Sequence, residues 1–193
     1  MVRKIKKGLA CALVAALAFT CAAPVTASAA NNSPATSKQP VAQKNASANI
    51  AKGVKATVST TAKGQATLTS VTPKKKTSIS VASSVTVKGV KYTVTTIGAN
   101  AFKKASKVKT VTLPSTIKKI DAKAFTGAKK LKTIKIKSKN KVTVSKKAFS
   151  KLTKKQKSKI VIKVNKKMSK KNFNALKKAL KAAGISTKNI KKY

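Results

Sequence analysis

The sequence has almost none of the residues on which most active sites depend. It contains no histidine, no tryptophan and no glutamate, and Asp121 is its single acidic side chain. General acid–base catalysis near neutral pH uses histidine or paired carboxylates, and zinc, calcium and magnesium sites need imidazole, thiolate or carboxylate ligands. We therefore expect no enzyme activity, no cofactor and no metal site. A serine activated by a lysine is the remaining alternative for a nucleophile, although no motif in the sequence identifies such a pair.

Cysteine is confined to the beginning of the chain, at Cys11 and Cys21. The first 30 residues combine a basic start, an apolar stretch and the small-residue end "VTASAA", which predicts a secretory signal peptide at residues 1–29. Cleavage after Ala29 or Ala30 would leave a chain without thiols, and hence without disulfides. A lipoprotein modification at Cys21 is the alternative, but the bulky Phe19 lies where such sites have small residues.

Charge of one sign dominates what remains. Without residues 1–29 the chain has 42 lysines, no arginine and one aspartate, which gives a formal net charge of +41. Lysine is a hydrated point charge without the planar fork of arginine, so it favours diffuse attraction to anionic polymers over base recognition. Aromatic residues are also few, so we expect no sequence-specific binding to nucleic acid.

The N-terminal part of the exported chain divides into two segments. Residues 30–50 are rich in Asn, Ser, Ala and Pro and predict a disordered linker. In residues 51–94, alternating β-branched residues on either side of glycine-containing turns predict two β-hairpins, the second turning at Lys88-Gly89. This segment is interpreted as an N-terminal β unit.

Residues 95–164 contain an internal repeat with a spacing of 23 residues. A third copy begins at Val144, and its Ala-Phe pair lies one residue later than the 23-residue spacing predicts. This copy predicts a strand at 159–164. The matching pairs of the first two copies are Ile97 and Ile120, Ala101 and Ala124, Phe102 and Phe125, Val108 and Leu131, Val111 and Ile134, and Leu113 and Ile136. One short strand and one short turn per period predict a mainly β repeat solenoid of the α/β type, with about three coils whose apolar positions form a shared core.

The repeated pattern I-x-x-x-A-F-x-x-A-x-x-L-x-x-I-x-I resembles the BspA-type (Treponema pallidum-type) leucine-rich-repeat family, over residues 79–164. Ala105 and Ala128 occupy a position that is often cysteine in that family. The resemblance implies a secreted or surface-attached bacterial protein that acts in binding and adhesion.

The segment 165–193 predicts a helical cap for the last coil. Ser169 is the expected N-cap, Gly184 follows the helix, and Phe173, Leu176 and Leu180 share one face. The alternative is a cationic effector that acts on membranes through this amphipathic helix. Asp121 is interpreted as a cap of the turn before Ala124, and as a partner of a nearby lysine.

The outward residues of the repeat strands form the candidate ligand face. They are Thr110, Thr112, Thr133, Lys135, Lys137, Lys159 and Lys163, with Val161 between the last two. The expected partners are anionic polymers, namely teichoic acids, acidic glycans or phospholipid head groups, or else host surface proteins. The sequence has neither an LPxTG-type sorting signal nor a transmembrane anchor, so we expect an extracellular protein held at the surface non-covalently.

Overall fold

The computed structural model describes residues 39–51, 54–73 and 75–193, which belong to one compact unit. The signal peptide predicted at 1–29 lies outside the described residues. Strands predominate in this part of the chain, with two α-helices and one 3₁₀ turn, Thr187–Asn189. The helices are α1 Lys154–Ser158 and α2 Lys170–Ala182. The strands are β1 Gln43–Ala51, β2 Val54–Thr60, β3 Gln65–Pro73, β4 Ser78–Ser80, β5 Ser84–Val87, β6 Val90–Ile97, β7 Thr110–Leu113, β8 Lys119–Ile120, β9 Thr133–Ile136, β10 Thr143–Val144, β11 Val161–Val164 and β12 Ile190–Lys192.

These strands form two sheets. The first has seven strands in the order β1-β2-β3-β6-β8-β10, with β5 paired to β6. Its N-terminal strands include antiparallel pairs, whereas β6, β8 and β10 are parallel. The second sheet, called here the parallel sheet, has the order β12-β11-β9-β7-β4, and all of its pairs are parallel. One hydrophobic cluster contains the buried residues of both sheets.

Strand β1 corrects the predicted disorder of residues 30–50. It lies within that segment and pairs antiparallel with β2, where Ala48 faces Ala56. Ala48 and Ile50 are buried. The prediction is wrong for residues 43–50 because small side chains give a weak hydrophobic alternation, although they pack well against a neighbouring strand that also carries alanine. Residues 30–38 lie outside the described part of the chain.

The two predicted hairpins are both present. Strands β2 and β3 pair antiparallel, as do β5 and β6. At the turn of the second hairpin, Lys88 and Gly89 have φ values of 50° and 81°. Two consecutive positive φ angles are the requirement of a type I′ turn, whose twist matches that of the flanking strands.

The 23-residue repeat corresponds to successive strands in register. In the first sheet Ile97 lies beside Ile120, and Ile120 beside Val144. In the parallel sheet Val111 lies beside Ile134, and Ile134 beside Ile162. All of these side chains are buried. The inward positions predicted from the repeat are therefore confirmed.

The Ala-Phe pairs form a second ladder at the turns. The rings of Phe102 and Phe125 stack with centroids 4.9 Å apart, and Phe125 and Phe149 stack at the same distance. The Phe102 N–H donates to the carbonyl of Ala124 (2.9 Å), and the Phe125 N–H to that of Ala148 (3.2 Å). The aromatic column thus has its own inter-repeat hydrogen bonds, which keep consecutive turns at one spacing.

Gly127 is required by this close approach of consecutive turns. A Cβ atom at this position would overlap the carbonyl group of Lys103 in the preceding repeat. Only glycine lets the two backbones lie this close together.

The parallel sheet extends beyond the three repeats found in the sequence. β4, within the predicted N-terminal unit, pairs with β7, and β12, within the predicted cap, pairs with β11. One expected boundary is also wrong. The predicted strand 159–164 begins only at Val161, because Lys159 is the C-cap residue of α1, a helix that the repeat pattern did not predict.

Helix α2 has the predicted ends. The Ser169 hydroxyl accepts a hydrogen bond from the Asn172 N–H (3.3 Å), and Gly184 follows the helix with φ +88°. Leu176 and Leu180 are buried, and α2 contacts β10, the last strand of the first sheet. The apolar face predicted for the helix therefore packs into the core.

Candidate functional site

The outward residues of the parallel sheet form one polar face, called here the outer face. Because neighbouring strands are parallel and in register, side chains at paired positions lie beside one another in rows. The first row is Ser78, Thr110, Thr133 and Val161. The second row is Ser80, Thr112, Lys135, Lys163 and Lys191. The residues between these rows, such as Ile134, are buried.

Five of the seven predicted site residues lie together on this face: Thr110, Thr112, Thr133, Lys135 and Lys163. Lys137 lies one residue beyond the end of β9 and is exposed. Lys159 does not belong to the face, because it ends α1 and lines a separate depression at the beginning of the strands. A helix at this point could not be found from the repeat alone, since the third copy has a longer connection. Whether the outer face binds a ligand stays a prediction.

The second row contains three successive lysines, Lys135, Lys163 and Lys191, called here the lysine row. Lys163 and Lys191 are exposed and Lys135 is partly buried. Neighbouring strands of a sheet are about 4.8 Å apart, so the stems of these side chains start at that separation. Like charges this close repel one another, and the repulsion falls when an anion binds between them. Lys191 was missed by the sequence analysis because β12 follows a helix and has no counterpart in the repeat.

The single acidic side chain is elsewhere. The Asp121 carboxylate is 2.9 Å from the Lys119 ammonium group, next to β8 of the first sheet. The ion pair with a neighbouring lysine is therefore present as expected. The turn is closed by the backbone instead of the carboxylate, since the Ala124 N–H donates to the Asp121 carbonyl (3.4 Å). As Asp121 is the only acid in the sequence, no carboxylate side chain neutralises the lysine row.

Residues 39–51, 54–73 and 75–193 contain neither clustered metal ligands nor a long apolar helix. In these ranges no three His, Cys, Asp or Glu side chains come together as a metal site would require. The two α-helices have 5 and 13 residues, and neither is long and apolar enough to cross a bilayer.

The sequence matches a model of a known protein family. A family model described as "BspA type Leucine rich repeat region (6 copies)" matches residues 76–193. No curated protein matches the sequence.

Three solved structures are similar to parts of this chain. A leucine-rich cell surface protein from Faecalibacterium prausnitzii is 23% identical with a TM-score of 0.43, over 61% of this chain and 32% of that protein. The pneumococcal vaccine antigen PcpA is 22% identical with a TM-score of 0.43, over 66% of this chain and 34% of that protein. A leucine-rich-repeat protein from Bacteroides ovatus is 16% identical with a TM-score of 0.39, over 79% of this chain and 40% of that protein. The chain thus spans about a third to two fifths of the length of these three proteins.

Proposed function

Because the chain belongs to the BspA-type leucine-rich-repeat family, we propose that it is an exported, non-enzymatic binding protein that attaches to anionic polymers of the bacterial envelope. Teichoic acids, acidic glycans and phospholipid head groups all present the required repeated negative charge. The protein is secreted and stays at the cell surface through non-covalent attraction. The family supports a binding or adhesion role, and the net charge of +41 without residues 1–29 supports the anionic partner.

The proposed scaffold is a short solenoid. Its repeats stack so that each coil covers the apolar side of the next, and α2 with β12 covers the last coil. The contact of α2 with β10 and the addition of β12 to β11 support this arrangement, since both elements lie at the C-terminal end of their sheets. Ile185 and Ile190, which are buried, hold the segment after α2 against the core.

The lysine row is the observation that carries the proposal. Lys135, Lys163 and Lys191 lie on consecutive strands of the outer face without a neighbouring carboxylate side chain. A linear polymer lying across the strands would meet one ammonium group per strand. The hydroxyl groups of Thr110 and Thr112 extend the same face and can donate hydrogen bonds to sugar or phosphate oxygens.

Two other partners compete with this proposal. A host surface protein could bind the same outer face, and it would be distinguished by retention in high salt. The membrane-active alternative has less support, because the leucines of α2 that would enter a bilayer are buried in the core. Those leucines would have to leave the core before the helix could bind a membrane.

The test measures binding to purified cell walls at physiological salt. The triple variant Lys135→Gln, Lys163→Gln and Lys191→Gln should bind roughly tenfold more weakly, since each exposed charge pair contributes a fraction of a kcal/mol. Its matched control is Lys103→Gln, Lys104→Gln and Lys146→Gln, which removes the same charge from exposed positions outside the outer face. The control should retain most of the binding.

Salt provides the second measurement. At about 1 M salt the Debye length is only about 3 Å, and the wild-type protein should leave the wall fraction. Equal loss in the two triple variants would show that total charge matters and the lysine row does not. Retention in high salt would contradict the anionic partner itself.

A further inference from the structure

Six lysines surround one depression at the beginning of the strands of the parallel sheet, and this depression is called here the lysine pocket. It has a volume of about 430 Å³. Its lysines are Lys109, Lys129, Lys130, Lys132, Lys155 and Lys159. Leu131, Thr153 and Gln156 complete the lining. We propose that the lysine pocket is a binding site for a compact anion that carries several phosphoryl groups in succession.

The pocket is assembled by three parts of the chain that are distant in sequence. Lys109 and Lys132 directly precede β7 and β9, and the Lys132 N–H donates to the Lys109 carbonyl (2.8 Å). The Val161 N–H donates in turn to the Lys132 carbonyl (2.8 Å). Lys155 and Lys159 come from α1 and its end. The register of the sheet therefore determines which lysines meet here.

The wall formed by α1 is held in place by side-chain hydrogen bonds. Thr153 and Gln156 form a capping box, in which the Gln156 N–H donates to the Thr153 hydroxyl (3.2 Å) and the Thr153 N–H donates to the Gln156 side chain (2.9 Å). The Gln156 side-chain amide also donates to the Lys129 carbonyl (3.3 Å). The capping box fixes the start of α1, and the bond from Gln156 connects it to the turn that carries Lys129 and Lys130.

The charges of the pocket select its ligand. All six lysine residues are exposed, and none of the lining side chains is acidic. An anion with a single charge leaves most of the ammonium groups unbalanced, whereas consecutive phosphoryl groups place several charges in the same small volume. The planar fork of arginine pairs with carboxylate and phosphate alike, and no arginine lines this pocket, so charge density decides which anion binds. Six point-like ammonium groups in one small volume favour consecutive phosphoryl groups, which carry the most charge for their size.

The lysine pocket differs from the site proposed above. It lies where the strands begin, and the row of Thr110, Thr133 and Val161 separates it from the lysine row. Its ligand is short, whereas the outer face is proposed to bind a polymer. Anion binding at the lysine pocket is consequently independent of attachment to envelope polymers.

The test is a calorimetric titration of the chain with inorganic tripolyphosphate at physiological salt. The variant Lys129→Gln, Lys155→Gln and Lys159→Gln should bind roughly tenfold more weakly than wild type, because three charge pairs are lost. The control Lys44→Gln, Lys55→Gln and Lys91→Gln should stay within about twofold, since it removes the same charge from exposed positions on β1, β2 and β6 of the first sheet. Circular dichroism of each variant confirms that the fold is retained.

Two further probes define the ligand class. Citrate, a carboxylate anion, should bind more weakly than tripolyphosphate, and vesicles of phosphatidylglycerol should compete poorly with it. Equal losses in the pocket variant and the control would overturn the proposal, as would citrate binding as tightly as tripolyphosphate. A pocket variant that loses vesicle binding but keeps tripolyphosphate would assign these lysines to a lipid surface and would also contradict it.

Discussion

The N-terminal hairpins and the repeats share one hydrophobic core but differ in surface charge. Residues 39–94 have nine lysines among 56 residues, whereas residues 95–193 have 32 among 99. Both regions bury their apolar side chains equally well. Val58 and Leu68 of the hairpin region and Phe125 and Ile134 of the repeats are almost fully buried. Lysine density therefore differs between the two regions, whereas the burial of their apolar side chains does not. The spacing of the apolar residues determines the fold, and the lysines occupy the positions that remain exposed to solvent.

The strand pairing differs between the two regions in the same way. Antiparallel hairpins join residues that are close in sequence, whereas the parallel sheet brings together equivalent positions of successive repeats. In the repeats, a lysine at an outward position is therefore placed beside another lysine, and single charges become rows. The exposed faces of the hairpins carry alternating threonine and serine, so lysine side chains do not form rows there.

The largest expected effect comes from breaking the aromatic column of the repeats. Phe125 stacks on both Phe102 and Phe149, so Phe125→Ala should lower the free energy of unfolding by roughly 3–5 kcal/mol. Urea denaturation followed by circular dichroism measures this change. Phe173→Ala removes the same side chain from a partly exposed position on α2 and should cost clearly less. Similar losses in the two variants would mean that the column has no special part in stability.

A smaller effect is expected in the hairpin region. The buried Tyr92 hydroxyl accepts a hydrogen bond from the Val41 N–H (2.9 Å) and donates to the Val41 carbonyl (3.2 Å). Tyr92→Phe should therefore destabilise the protein by about 0.5–1.5 kcal/mol. Hydrogen exchange should show faster exchange at Val41 and β1, with little change in β9 and β11. Uniform acceleration throughout the chain would argue against this local role.

The smallest expected effect is a different response of the two regions to salt. Screening reduces repulsion among lysines, so amides of β9 and β11 that exchange by local opening should gain on the order of a few tenths of a kcal/mol of protection between low and high salt. Amides of β2 and β3 should gain less. Hydrogen exchange at the two salt concentrations measures both regions in one sample. An equal gain would indicate that charge density has no local influence on stability.

The sequence predicted the features that depend on strong periodicity. Ile97, Ile120, Val111 and Ile134 recur at a fixed spacing with large side chains, and their buried positions followed directly. Ser169 and Gly184 likewise marked the ends of α2, because an N-cap hydroxyl and a left-handed glycine are local requirements.

Features that depend on contacts between distant segments could not be predicted. Strand β4 contains one buried apolar residue, Ile79, so its place in the parallel sheet becomes apparent only through its pairing with β7. The outer face was predicted in part, since outward positions follow from alternation, but Lys191 joins it through β12. The lysine pocket needs α1 and the turn at Lys129 side by side, and only tertiary structure brings these together.

The ion pair between Lys119 and Asp121 has a wider consequence because the sequence allows no second pair between side chains. The other lysines must be balanced by small counterions from solution, which gather around the repeats where lysine density is greatest. A polyanion that binds there displaces these counterions, and their release makes the gain in free energy largely entropic. In the proposed function the protein would therefore act as an ion exchanger, and its affinity for a polyanion would fall as the salt concentration rises.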